Sequence, residues 1–295
     1  MADKLTRAIT KDGFFKISAA VTTDTVEQSR VFHNSSPVAT AALGRLLTAG
    51  LLMGGELKED NAKLTLQMSG DGPLGRIIVC ANSKGEVKGY VGNPQADMPL
   101  NEKGKLDVGG AIGKGTLSVI KDLGLKEPYI GQVEIQTGEI GDDLAYYFMQ
   151  SEQVPSVVAL GVLVDRDLSV KCAGGFIIQV MPECDEESLT MLEKSIGGIM
   201  SVTEMLEQGM NGEDMIKYAM LGFDVDILEE NDIGYVCDCS RERMERAIVS
   251  LGKAEIDSII KEQGKAEIVC SFCNKAYLFN AEELEEMRGR ARDTK

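Results

Sequence analysis

Over residues 1–181 apolar and polar positions alternate in short runs bounded by turn residues, the signature of half-buried strands. Runs at 14–18, 63–68, 76–80 and 86–91 predict strands, the last two joined as a hairpin across Asn82-Ser83-Lys84-Gly85. Further strands are predicted at 132–136, 157–164 and 176–181. Ser36-Pro37 ahead of an Ala/Leu-rich run supplies an N-cap and a first-turn proline, which predicts a buried helix; 142–153 predicts another. Strands and helices do not alternate regularly. The pattern therefore predicts an α+β fold: a large N-terminal mixed α/β core domain over 1–181, with an antiparallel or mixed sheet.

The pattern changes after Met181-Pro182. Residues 182–234 read as helical throughout, a linker between two domains, with Met191, Met200, Met205, Met210, Met215 and Met220 along it. The last five recur every five residues, which on one continuous helix scatters them around the axis. Gly197, Gly198, Gly209, Gly212 and Gly222 interrupt the run, each at a cost of roughly 1 kcal/mol inside a helix. Two readings stand at this point, an ordinary acidic helical subdomain or a marginally stable, adaptable linker of soft thioether side chains.

Residues 235–295 predict a small C-terminal α+β domain. Ser240 caps a helix with Met244, Ala247, Ile248 and Leu251 on one face, ended by Gly252; a second helix carries Ile256, Ile259 and Ile260 up to Gly264. A hairpin spans 267–279, and Asn280-Ala-Glu-Glu283 forms a capping box for a last helix. So few large apolar groups make a thin core, one that bound metal would have to support.

Charge sharpens this division. Of the net −16, residues 182–234 carry −12, with Lys194 and Lys217 set against 14 acids. Neutralising the cluster Asp185, Glu186 and Glu187 is accordingly expected to stabilise the folded linker. An acidic chain argues against nucleic acid as a partner, since phosphate binding rests on clustered Lys and Arg. The start Met1-Ala-Asp-Lys-Leu-Thr-Arg has no apolar h-region, and the most membrane-like stretch, 38–53, carries Arg45 and is short of about 20 residues. A cytoplasmic protein with no membrane partner is expected.

Chemistry gathers at four cysteines, Cys237-Asp-Cys239 and Cys270-Ser-Phe-Cys273. Two close thiol pairs brought together by a fold supply the four tetrahedral ligands Zn²⁺ prefers, and one Zn²⁺ per chain is expected there. Thiols this close can also leave the metal and oxidise, so both a structural clamp and a switch are open at this point. Cys80, Cys172 and Cys184 are unpaired, and His33, the one histidine, has no ligand pattern. The run Gly109-Gly110-Ala-Ile-Gly113-Lys114-Gly115 fails as a phosphate loop, because Val108 and Gly115 stand where Gly and Ser/Thr are needed; it reads as a tight turn. No nucleophile elbow or Ser/His/Asp set is found, and no enzyme activity is expected. Two rivals remain, a zinc-ribbon regulator of nucleic acid and a thiol oxidoreductase using Cys270 and Cys273. The charge speaks against the first. The second is disfavoured because the motif follows a strand near a turn, where a thioredoxin-like site would open a helix.

The residues together resemble the redox-regulated chaperone family heat shock protein 33. Cys237-Asp-Cys239-Ser-Arg-Glu-Arg243 and Cys270-Ser-Phe-Cys273 match its C-x-C and C-x-x-C signature. His33, Ala42-Leu43-Gly44-Arg45, Asp71-Gly72-Pro73-Leu74-Gly75, Gly89-Tyr90-Val91, Ser151-Glu152-Gln153-Val154-Pro155-Ser156 and Ala173-Gly174-Gly175-Phe176 extend the resemblance over essentially the whole chain. The resemblance implies an ATP-independent holdase that binds unfolding client proteins under oxidative stress. It is inactive when reduced and zinc-bound by all four thiolates. Oxidation releases zinc, forms disulfides Cys237–Cys239 and Cys270–Cys273, and unfolds the C-terminal domain and linker. The resemblance further implies a homodimer when active and delivery of clients to an ATP-dependent refolding chaperone system.

Overall fold

A computed structural model describes residues 2–292, so the end of the predicted C-terminal domain, 293–295, lies outside the described residues. In chain order the first part holds β1 (Lys4–Thr10), β2 (Phe15–Val21), α1 (Thr23–His33), α2 (Pro37–Gly54), β3 (Lys63–Gly70), β4 (Arg76–Asn82), β5 (Glu86–Val91), α3 (Val108–Ile112), β6 (Gly115–Asp122), β7 (Tyr129–Glu134), α4 (Gly141–Tyr147), β8 (Ser156–Val164) and β9 (Val170–Val180). Then come α5 (Glu186–Ile196), α6 (Val202–Glu207), α7 (Gly212–Ala219), β10 (Val225–Asp232) and β11 (Gly234–Tyr235). The last part holds α8 (Arg241–Ser250), α9 (Lys253–Gln263), β12 (Lys265–Val269), β13 (Ala276–Asn280) and α10 (Ala281–Arg290). The fold is α+β. The chain forms two compact units, 1–236 and 237–295, and the first takes in both the predicted core and the predicted linker.

The first unit contains two sheets, one ordered β10-β1-β2-β9-β8 and one ordered β11-β5-β4-β3-β6-β7. Helix α2 packs on β8 and β9 of the first and on β3, β4 and β5 of the second, so it is apolar all round and buried. Its start is the predicted one: Ser36 accepts a hydrogen bond from the Ala39 amide and Pro37 occupies the first turn. This helix is long and apolar enough to cross a membrane by composition, yet 89% of that stretch is buried within the protein.

Near-continuous buried runs along β2 and β9 give the five-stranded sheet two apolar faces. One packs on α2. The other presents Ala8, Phe15, Ile17, Ala19, Phe176 and Ile178, and residues of the acidic segment cover it. Helix α6 lies against β8 and β9, and α7 against β1 and β2.

Three expectations are corrected here. Residues 225–232, expected to be helical, form β10, an edge strand antiparallel to β1. Its acids meet the base-rich strand beside them, Glu230 with Lys4 and Glu229 with Arg7, each at 2.5 Å. The five-residue methionine period does not scatter, because the segment breaks into three short helices. Met205, Met215 and Met220 are all buried in one cluster, with Met200 and Met210 packed at its edge. The glycines make those breaks possible: Gly209 and Gly222 have φ of +81° and +98°, and a Cβ on Gly212 would lie 2.5 Å from the Thr6 hydroxyl oxygen. Third, Val108–Ile112 of the glycine-rich run is a short helix capped by Asp107, and only Gly113 turns.

Candidate metal centre

The second unit is small, with a core of Ile248, Ile256, Tyr277, Phe279, Leu284 and Met287. Ser240 accepts a hydrogen bond from the Arg243 amide and starts α8 directly after Cys239, which fixes where the first thiol pair ends. Gly252 ends this helix as expected, following its C-cap Leu251 with φ +89°, and is also the N-cap of α9. Gly264 closes α9 in the left-handed conformation as expected. Strands β12 and β13 pair antiparallel, and the second thiol pair sits in the turn between them. The Cys270 amide donates to the Lys275 carbonyl, the Asn274 amide donates to the Cys270 carbonyl, and Asn274 takes a positive φ of 56°. This tight knuckle aims both thiols to one side.

The structure brings together all four predicted cysteines. Their sulfurs lie within 4.8 Å of one another, with Cys237–Cys270 at 3.7 Å and Cys239–Cys273 at 3.4 Å. A tetrahedral zinc with Zn–S bonds of about 2.3 Å sets its sulfurs about 3.8 Å apart. A disulfide needs about 2.05 Å. The set therefore fits a four-coordinate metal ion, and all seven cysteines are free thiols in this structure.

The electrostatics are those of a site built to be ionised by a cation. Burial pushes the Cys237 thiol above its ordinary range, and Cys273 is raised for the same reason. Burial also opposes ionisation at Cys239. There, however, the Tyr277 hydroxyl and the neighbouring thiols donate to the thiolate and bring it down to about 7. Tyr277 Oη lies 3.2 Å from Cys239 Sγ. Cys239 is thus eased toward the thiolate while Cys237 and Cys273 resist ionisation; a divalent ion would drive off their protons. Arg243 pairs with Asp238 between the first two thiols at 2.9 Å, and Lys275 lies over the Tyr277 ring at 5.2 Å.

Tyr277 is the site residue that sequence reasoning missed, having been read only as part of a strand. A signal was available: four positions beyond Cys273 in a short strand, it occupies the face of β13 that points inward with Phe279. The other cysteines stay apart from the cluster. Cys172 is buried, and burial pushes its thiol up to about 11. Cys80 sits in β4 beside Thr65, and the Cys184 thiol donates to the Asp185 carbonyl. His33 is buried in the first unit, its Nε2 3.1 Å from the Gly89 carbonyl oxygen.

Known proteins resemble this chain in sequence and fold along nearly its whole length. A family model described as "Hsp33 protein" matches residues 3–280. A protein of Clostridium beijerinckii named 33 kDa chaperonin is 50% identical over 99% of this chain and 100% of its own length. A 33 kDa chaperonin of Clostridium botulinum is 52% identical over 97% of each. Among solved structures, the 33 kDa chaperonin (heat shock protein 33 homolog) of Thermotoga maritima superposes with a TM-score of 0.92 at 41% identity, covering 98% of both chains.

Proposed function

Since the chain belongs to the Hsp33 family, whose members here are chaperonins by name, we propose that it is a redox-activated, ATP-independent holdase chaperone. The observation that carries this is the four-thiol cluster holding a unit whose own core is thin. Cys237, Cys239, Cys270 and Cys273 would hold one Zn²⁺ in the reduced state. When bound, the ion supplies folding free energy, on the order of 10–16 kcal/mol for small structural sites.

Activation follows from what the thiols do next. Each neighbour pair, Cys237 with Cys239 and Cys270 with Cys273, gives up two electrons as thiolates to hydrogen peroxide; the O–O bond breaks, two protons come from solvent, two waters leave and one S–S bond forms. Disulfides closing three or four residues restrain the unfolded chain by only roughly 2 kcal/mol each. The exchange removes more stability than it returns, so residues 235–295 lose structure. The linker, 182–234, is the second element of the switch. It covers an apolar sheet face, and releasing it would open a surface fit to hold the apolar segments of unfolding proteins. We assign the active form as a homodimer in the cytoplasm that passes clients to an ATP-dependent refolding system.

The test is suppression of aggregation of a heat-unfolded client. Reduced, zinc-loaded protein should be inactive and peroxide-treated protein active at near-stoichiometric amounts, without nucleotide. Equal activity in both states would leave the cluster as a plain structural metal site.

A further inference from the structure

We propose that Met200 and Met210 are oxidation sites of a second sensor, one that locks the linker open independently of the cysteines. It rests on the holdase reading above and concerns how that activity is regulated. Five of the linker's methionines converge on a single apolar cluster, although they are spread over 21 residues, two helices and the turns beside them. Met205, Met215 and Met220 are 0%, 0% and 1% exposed, pressed against the sheet face formed by Phe15, Ile17, Ala19, Phe176 and Ile178. Met200 and Met210 are half-buried at the rim of that cluster, in the turns that flank α6. The Met200 sulfur is held by the Gln208 side chain, whose Nε2 donates to it at 3.1 Å. The rim sulfurs are within reach of a small oxidant, and the inner three are not until the rim opens.

The chemistry needs only the oxidants that the cysteine switch already requires. A thioether sulfur attacks the outer oxygen of a hydroperoxide with its lone pair. An S–O bond forms, the O–O bond breaks, and an alcohol or water departs. With hypochlorous acid the sulfur takes chlorine as the Cl–O bond breaks and hydroxide leaves; water then adds its oxygen to the sulfur, and chloride and protons depart. The sulfur is oxidised by two electrons and the oxidant is reduced by two. The product converts a flexible apolar group into a polar one that must be hydrated or hydrogen-bonded. A sulfoxide drawn back against the cluster would exchange water for apolar neighbours at Met210 and keep only the Gln208 amide at Met200, shifting the opening equilibrium about tenfold.

The consequence separates the two sensors by what resets them. Thiol reductants return disulfides to thiols but leave sulfoxides, which require stereospecific methionine sulfoxide reductases. A brief oxidation would therefore be erased with the thiols. A severe one would leave the linker detached after the thiols had recovered.

The experiment uses the full-length, reduced, zinc-loaded protein, treated with hypochlorous acid and then with dithiothreitol and Zn²⁺. Peptide mass spectrometry should locate one added oxygen at Met200 and at Met210. Hydrogen exchange over 200–220 should remain about tenfold faster than in untreated protein. Treatment with sulfoxide reductases of both stereospecificities should restore protection. The volume-conserving variant Met200→Leu/Met210→Leu should recover protection on thiol reduction alone. The proposal is overturned if protection returns fully while both sulfoxides persist. It is equally overturned if the leucine variant stays open like the parent, or if both methionines remain unoxidised at severe doses, well beyond those that convert the cysteines. These readouts need no client, so failure of the lock is distinct from failure of the holdase reading, which the aggregation assay tests.

Discussion

At the scale of single residues, the cluster divides its labour between sulfur and one phenol. Replacing any of Cys237, Cys239, Cys270 or Cys273 by serine should abolish stoichiometric zinc binding, measured by metal analysis of purified protein. The same change at Cys80, Cys172 or Cys184 should leave it intact. Tyr277→Phe removes the hydroxyl that donates to Cys239. It should weaken zinc retention by about tenfold in chelator competition, as loss of an outer-shell partner does, without unfolding β13. The thiols also separate by pH. Where the second unit keeps its fold after metal removal, Cys239 should alkylate increasingly as pH rises through about 7; alkylation only in the ordinary thiol range would mark loss of that fold. Cys172 should gain reactivity only toward about 11, since its buried thiol is protonated below that. Mass spectrometry of the alkylated peptides checks both. The four-thiol cluster was legible in the sequence because two close thiol pairs are a ligand pattern for zinc and the one histidine, His33, lies far from them. Tyr277 left only a faint signal, because an aromatic in a strand serves the core equally well and the sulfur its hydroxyl meets belongs to Cys239, 38 positions earlier.

At the scale of elements, the structure reverses the expectation that Asp185, Glu186 and Glu187 destabilise the linker. Asp185 is the N-cap of α5 and accepts from the Ser188 amide at 2.7 Å, while Glu186 and Glu187 stand in the first turn. There negative charge meets the positive end of the helix dipole, an interaction of about 0.3–1 kcal/mol each. Neutralising the three to Asn and Gln should therefore loosen α5. Exchange over 186–196 should quicken, and the variant should suppress aggregation after milder oxidation. Slower exchange would show that repulsion along the segment outweighs capping. Elements with strong local signals were read correctly: the Ser36-Pro37 start of α2, the β4–β5 hairpin and the Asn280 capping box. Strand β10 was missed because Asp226, Glu229, Glu230 and Asp232 hide its alternation. Its strand conformation is set by pairing with β1, where Lys4 and Arg7 neutralise it. Partners distant in sequence leave no local trace.

At the scale of the whole molecule, stability is distributed unequally between the two units, and this predicts where oxidation acts. The first unit's sheets enclose α2, so β2, β8 and β9 rest on apolar burial that owes nothing to thiols. The second unit has seven buried apolar residues in its core, and its strands β12 and β13 form a two-stranded sheet, which is marginal alone in water. The linker helices are six to eleven residues long, too short to persist without the sheet face they cover. Peroxide treatment should therefore remove exchange protection throughout 237–292 and then from α5, α6 and α7, while β2, β8, β9 and α2 keep theirs. The pairing of the disulfides decides the outcome. A bond between Cys237 and Cys270 would close a loop of about 34 residues and restrain the unfolded chain by about 4 kcal/mol, roughly twice what a neighbour pair contributes. Peptide mapping of the active form should find Cys237–Cys239 and Cys270–Cys273. If the active form instead carries cross-linked pairs and its second unit stays protected, activation does not proceed through loss of the metal-held structure.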